Sequence, residues 1–237
     1  CSSDLGAGPG NPPVVVDETA DIPKAAKDIV DGASFDNNVL CIAEKEVFVV
    51  REKARELVTE MIKQGAYLLK EEELERLMPK IAQEKNGRLA VNRRYVGKDA
   101  GKILEAIGLK VDDRCRLAVA VTGPEHPLVY LEQLMPVLPV VPVRDVEEAI
   151  MYACEAEAGC YHTAMMHSMN VEHLSKMAKA ANTSIFVKNA PSYAGLGMEG
   201  EGHATFTIAS PTGEGLTSPI SFTRQRRCVL KDQFRIV

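Results

Sequence analysis

The chain has 237 residues, 46% hydrophobic and 26% charged, with a formal net charge of −5. That length supports one large domain or two small ones, at the composition of an ordinary globular protein. The acidic balance removes the electrostatic case for nucleic acid or an anionic membrane as partner, and no apolar run approaches the length of a membrane span.

In chain order, residues 6–13 form a Gly/Pro loop. Its GAGPG resembles a phosphate-binding loop, but no strand precedes it and no helix follows at once, so the dinucleotide fingerprint fails. Val14 to Val16 read as a short buried strand. Asp17 to Asp21 supply a helix start with Pro23 in the first turn, and Ile22, Ala25, Ala26, Ile29, Val30 and Ala33 make one apolar helical face. A polar turn (Asp36, Asn37, Asn38) leads to Cys41. The charged triplet Glu44, Lys45, Glu46 then precedes the apolar run Val47 to Val50, a buried strand. Cys41 therefore sits at a junction between elements, where a thiol is available as a nucleophile, although a lone cysteine is more often a small core residue. The triplet reads equally as a solvated turn or as a device that tunes the thiol.

Ala54, Leu57, Val58, Met61 and Ile62 mark a second helix, stopped by Gly65. Leu74, Leu77, Met78 and Ile81 mark a third, in which Pro79 predicts a kink or break. Asn86-Gly87 is a turn signal, residues 97–108 hold a short helix, and Leu117 to Val121 are an apolar strand. Val137 to Val143 are the next strand, which Pro139 and Pro142 assign to an edge or a bulge. The stripe Val146, Ala149, Ile150, Ala153 and Cys154 makes Cys154 a core residue. Thr163 to Met166 and Ser184 to Val187 read as strands around a helix over 171–181. This alternation predicts α/β layers with a mostly parallel sheet flanked by helices. From Asn189 the rhythm fails: a loop with Gly195, Gly197, Gly200 and Gly202 is followed by two strand-like runs, Thr205 to Ile208 and Phe222 to Val229, read as an antiparallel edge hairpin.

None of the six cysteines forms a CxxC pair, and no His/Cys grouping has zinc-site spacing, so no metal is expected. Free thiols point to a reducing cytosol, hence a cytoplasmic location, and no signal peptide is visible. The five histidines (His126, His162, His167, His173, His203) are scattered and expected to be structural. Arg224, Arg226 and Arg227 read as a solvated or interface strand end. Cys1 to Leu5 match what the end of a common sequencing adapter encodes and are expected to be a non-native leader on a truncated gene.

Four segments carry a family resemblance, which covers nearly all of the chain from Gly6 onward. FDNNVLCIAEKEVFV resembles the catalytic-cysteine segment of the aldehyde dehydrogenase superfamily, most closely its CoA-acylating branch, the acetaldehyde and propionaldehyde dehydrogenases of ethanolamine and propanediol utilisation. GPGNPPVVVDETADI resembles the segment before that cysteine, LEQLMPVLPVVPV the cofactor-ribose segment, and SPTGEGLTSPISFTRQRRCVL the tail of that branch.

The resemblance implies an enzyme in which the Cys41 thiolate attacks an aldehyde, hydride passes to NAD, and coenzyme A takes the acyl group from the cysteine thioester. The Cys41 N–H would help hold the oxyanion. Glu132 would be the cofactor-binding residue that holds the nicotinamide-side ribose; read alone, it is a surface glutamate at a strand entry. Hydrolytic relatives carry a water-activating glutamate where Ala7 stands here, and residues 6–13 offer no carboxylate. The implied domains are a leader (1–5), a catalytic α/β domain (6–202) and a strand tail (203–237) that pairs with a second copy in a homo-oligomer. The dinucleotide-binding half would lie upstream, leaving this stretch inactive alone. Residence inside a bacterial microcompartment is implied by the resemblance only. The alternatives are a hydrolytic aldehyde dehydrogenase and a truncated, non-catalytic assembly module.

Overall fold

The computed structural model describes residues 5–85, 87–200, 202–229 and 231–232. Residues 1–4 of the expected leader and Asn86 of the expected turn lie outside the described residues. The elements run β1 (Pro13–Val16), α1 (Ile22–Ser34), β2 (Glu46–Val50), α2 (Arg51–Lys63), β3 (Ala66–Leu68), α3 (Glu71–Ile81), β4 (Ala82–Lys85), β5 (Arg88–Val91), α4 (Ala100–Glu105) and β6 (Leu117–Val121). They continue with β7 (Val137–Val143), α5 (Val146–Glu157), β8 (Thr163–His167), α6 (Val171–Ala181), β9 (Ile185–Lys188), β10 (Ile208–Ala209) and β11 (Gly215–Leu216).

Seven strands form one sheet in the order β3-β6-β7-β2-β1-β8-β9, and every pairing in it is parallel. Both faces are covered, as a parallel sheet requires. Val14, Val16, Val47 and Val49 pack with α1 and α2 on one side, while Val15 and Phe48 pack with α5 and α6 on the other. α1 begins as its sequence predicts: the Asp21 side chain accepts from the Lys24 N–H, and proline stands in the first turn. α3 runs continuously past Pro79 and stops two residues later. The antiparallel pair β4–β5 follows it directly, a hairpin of which the sequence announced only the turn.

Three expectations are corrected. β7 is not an edge strand: it lies between β6 and β2 despite its two prolines. The register explains the tolerance. Val140 accepts from the Thr122 N–H, so even-numbered residues of β7 face β6, and position 142 lies past the last β6 partner. Position 139 faces β2, where its N–H would reach the Lys45 carbonyl. The Gln133 side-chain amide donates to that carbonyl instead, at 3.0 Å. The missing ladder bond is thus made by another group.

The tail is also shorter in strand than expected. Only Ile208–Ala209 pairs, with Gly215–Leu216; Phe222 closes a 3-10 turn (Pro219–Phe222), and residues 223–229 have no strand. Alternation creates no strand without a partner to complete the ladder. Finally, Cys154 is only half-buried at the margin of the α5 packing.

Candidate active site

Four segments enter four adjacent strands from the same side: the Gly10 loop before β1, the Cys41 loop before β2, the Glu132 loop before β7 and His162 before β8. In-register parallel pairing brings their ends to one edge of the sheet. This is the N-terminal edge, whereas open α/β sheets ordinarily bind ligands at the C-terminal one.

α1 ends in a turn whose three residues Asp36, Asn37 and Asn38 all have positive φ (46°, 52° and 63°). Asp and Asn tolerate that region better than other side chains. Asn38 holds the turn shut: its amide donates to the Ala33 carbonyl at 2.8 Å and to the Glu44 carbonyl at 2.9 Å. Asn37 reaches the Gly97 carbonyl and Asp99. The reversal leads the chain to Cys41, whose half-buried thiol packs at the margin of the core.

The charged triplet is not a solvated turn, since Glu44, Lys45 and Glu46 are all buried. The Lys45 ammonium donates to the Asn38 carbonyl (2.9 Å), Asn38 Oδ1 (2.5 Å) and the Leu40 carbonyl (3.3 Å). Burial pulls its pKa down to about 8, against the pull of Glu132 and Glu46. Glu44 accepts from the Ser192 N–H (2.8 Å) and hydroxyl (2.7 Å), and burial pushes it up to about 7. The Glu46 carboxyl has no hydrogen-bond partner among the described residues, and burial drives it far upward.

Gly10 is the meeting point of the site. Its N–H donates to Glu132 Oε1 at 3.3 Å. A Cβ built there would lie 2.6 Å from the Cys41 carbonyl oxygen and 3.2 Å from His162 Cγ, so only glycine permits this approach. Cys41 and Glu132, singled out from the sequence, are therefore brought to one place. Burial raises the Cys41 thiol pKa and Glu132 adds to the rise, while the Cys41 N–H and Lys45 oppose it. At rest the thiol is thus held in its protonated form more than a free cysteine is. A cavity of about 660 Å³ opens beside Asp36 and Asn37, lined also by Asp31, Arg116 and Tyr193. Cys41 does not line it.

The aldehyde dehydrogenase family model matches residues 5–203. The chain belongs to that family. This aldehyde dehydrogenase chain is 54% identical over 235 residues to acetaldehyde dehydrogenase (acetylating) EutE of Salmonella typhimurium, covering 98% of itself and 50% of the relative. It spans about half the length of the curated relatives it matches. Among solved structures it resembles the Rhodopseudomonas palustris propionaldehyde dehydrogenase with bound CoA and an acylated cysteine. That match has a TM-score of 0.91 and 51% identity, over 95% of this chain and 51% of the other. It is equally similar in fold, at 48% identity, to a propionaldehyde dehydrogenase from the Clostridium phytofermentans fucose-utilisation microcompartment, over 97% of this chain and 52% of the other (TM-score 0.91).

His162, read from the sequence as structural, also lies against Gly10. It is buried; its Nδ1 pairs with Thr163 Oγ1 at 2.8 Å, and its Nε2 has no partner among the described residues. Burial, aided by the Lys45 charge, lowers its pKa to about 4, so the ring is neutral near pH 7. The available signal was its position one residue before a strand that neighbours the Gly10 strand. The aldehyde dehydrogenase edge thus combines a thiol, a carboxylate and a neutral imidazole with a free nitrogen.

Proposed function

We propose that this chain is the catalytic half of a CoA-acylating aldehyde dehydrogenase that converts acetaldehyde or propionaldehyde to the acyl-CoA. The observation that carries the reading is the convergence of Cys41, Glu132 and His162 on Gly10, in a loop (residues 5–13) without a carboxylate.

Cys41 gives its thiol proton to solvent, its Sγ bonds to the aldehyde carbon as the C=O π pair moves to oxygen, and the Cys41 N–H holds the resulting oxyanion. When bound, the nicotinamide dinucleotide supplies the hydride acceptor that turns the thiohemiacetal into a thioester. Glu132 fits the ribose as a carboxylate able to accept two hydroxyl bonds. The coenzyme A thiol gives its proton to His162 Nε2 and attacks the thioester, and the Cys41 thiolate leaves. No base stands at Ala7 to activate water, which favours acyl-CoA over free acid. NAD is the expected dinucleotide. A homo-oligomer built through the tail is supported by its exposed apolar side chains, Phe206, Ile220 and Phe222. No helix of the described residues is long and apolar enough to cross a membrane. The cytoplasm, inside a microcompartment, is the proposed location, by similarity to the fucose-utilisation relative.

The test is the product ratio of a complete enzyme carrying this chain, with CoA present and absent. Acyl-CoA with CoA, and only slow acid release without it, is the expected result. Acid released as fast without CoA would install the hydrolytic reading. No aldehyde oxidation at all would leave the assembly-module reading. Ala7→Glu should raise the share of acid.

A further inference from the structure

We propose that Lys45 is the positioning residue of the Cys41 thiol: its buried ammonium clamps the carbonyls of the loop just before the cysteine and places a positive charge within that loop. The inference rests on the reading of Cys41 as nucleophile.

The geometry is specific. Lys45 is fully buried, and its three N–H donors are used on Asn38 O, Asn38 Oδ1 and Leu40 O. All three acceptors are neutral, and no carboxylate lies within ion-pair distance of the ammonium among the described residues. Its backbone is fixed as well, with the N–H donating to the Pro12 carbonyl at 3.0 Å and the carbonyl accepting from Gln133. A lysine with this many ties cannot move away from the loop it holds. Ammonium bonded only to carbonyl dipoles keeps its charge available to a nearby anion, and an unpaired buried charge is costly to retain for packing alone.

The charged and titratable groups facing it are Cys41, Glu44, Glu46, Glu132 and His162, with Glu157 of α5 behind Glu46. Of the influences on the thiol, burial and Glu132 favour the neutral form; the Cys41 N–H and, less strongly, the Lys45 ammonium favour the thiolate. The thiolate is needed twice: when sulfur attacks the aldehyde, and when it leaves as CoA displaces it. A fixed cation assists both steps and needs no reorganisation.

The experiment follows alkylation of Cys41 by iodoacetamide against pH in the complete enzyme, with the other cysteines tracked by mass spectrometry. In Lys45→Met, alkylation at pH 7, where the ammonium is charged, should slow by at least ~3-fold. Lys45→Arg keeps the charge but not the three-carbonyl fit, so it should hold that rate within about twofold and lower kcat. Asn38→Asp places a carboxylate on the ammonium and should slow alkylation at pH 7 as Lys45→Met does. An unchanged rate at pH 7 in a folded Lys45→Met overturns the proposal. If that variant does not fold, an unchanged rate in Asn38→Asp does so. Failure of the underlying reading looks different: Cys41→Ser would then keep turning over, whatever the alkylation rates do.

Discussion

The two edges of the parallel sheet hold polar clusters of opposite character. At the C-terminal ends of β1 and β8, buried Asp17 accepts from the Thr19 N–H (2.8 Å) and hydroxyl (2.7 Å) on one oxygen, and on the other from the Ser168 hydroxyl and His173 Nδ1 (2.8 Å). Those four contacts fill the lone-pair sites of a carboxylate. Glu18 joins Asp17 and His173 in a grouping close enough for a metal ion, yet Asp17 has no acceptor position left to give one. At the N-terminal edge, His162 Nε2, Asn11 Oδ1, Gln133 Oε1 and both Glu46 oxygens are buried without partners among the described residues, against Thr122 Oγ1 alone at the C-terminal edge. Buried polar groups are normally satisfied, and each exception calls for a reason. The filled cluster closes the fold; the edge with the unfilled groups is the one where the chemistry is proposed. The proposed site is not at the position that the α/β rule favours; unsatisfied hydrogen-bonding groups are what point to it.

The largest effect should come from the cysteine edge. Cys41→Ser in a complete enzyme should cut acyl transfer by at least ~10³-fold. Its thermal midpoint should stay near wild type, and Cys160→Ser, the other thiol near Glu132, should retain turnover. Normal turnover in Cys41→Ser would remove the site. Asp17→Ala is the mirror experiment. It strips four partners at once and should cost about 3 kcal/mol in denaturant titration, with activity per folded molecule unchanged.

The third test uses the histidines at the two ends of β8. Both are held below the ordinary 6.5, His162 to about 4 and His167 to about 3, chiefly by burial. A folded pKa below the unfolded one means that the unfolded chain binds protons first. The stability from each is therefore present above pH 6.5 and lost as pH falls toward its folded value. For His162 that amounts to roughly 3 kcal/mol between pH 6.5 and 4. His162→Gln should flatten that stretch of the stability curve and also slow acyl transfer. His167→Gln should flatten the curve and leave acyl transfer alone. Equal kinetic effects from the two would erase the distinction between the edges.

The smallest effect belongs to the tail. Phe222→Ser should change protomer stability by less than ~0.5 kcal/mol, because the ring is exposed. If the tail joins protomers, light scattering should show the variant falling apart at a concentration where the parent stays assembled.

The sheet was legible because runs such as Val47 to Val50 and Leu117 to Val121 are apolar throughout, which suits a strand covered on both faces. Cys41 and Glu132 entered the proposed site through local motif context. Lys45 did not, since a charged triplet in sequence is ordinarily solvated. Its burial depends on cover from residues far along the chain, Ser192 over Glu44 and Gln133 over the Lys45 carbonyl. His162 escaped because nothing local separates a histidine with a spare nitrogen from one that is satisfied. β7 was misplaced because the rule against proline in a central strand assumes that the lost donor has no substitute. In the tail, alternation was visible and the absence of a partner strand was not.

That substitute donor has a further consequence for assembly of the sheet. Glu132 and Gln133 are neighbours: one holds the Gly10 N–H ahead of β1, the other the Lys45 carbonyl ahead of β2. A parallel strand can slide against its neighbour by two residues and still present apolar side chains to the same layer. For β7 such a slide would carry Pro139 away from Lys45 and place its missing donor opposite a different carbonyl, apart from the observed Gln133–Lys45 bond. It would also pull Glu132 off the glycine loop. The proline therefore works as a keyed tooth. The strand order alone admits several alignments, and in the one that assembles the cysteine edge the carbonyl opposite Pro139 has a substitute donor.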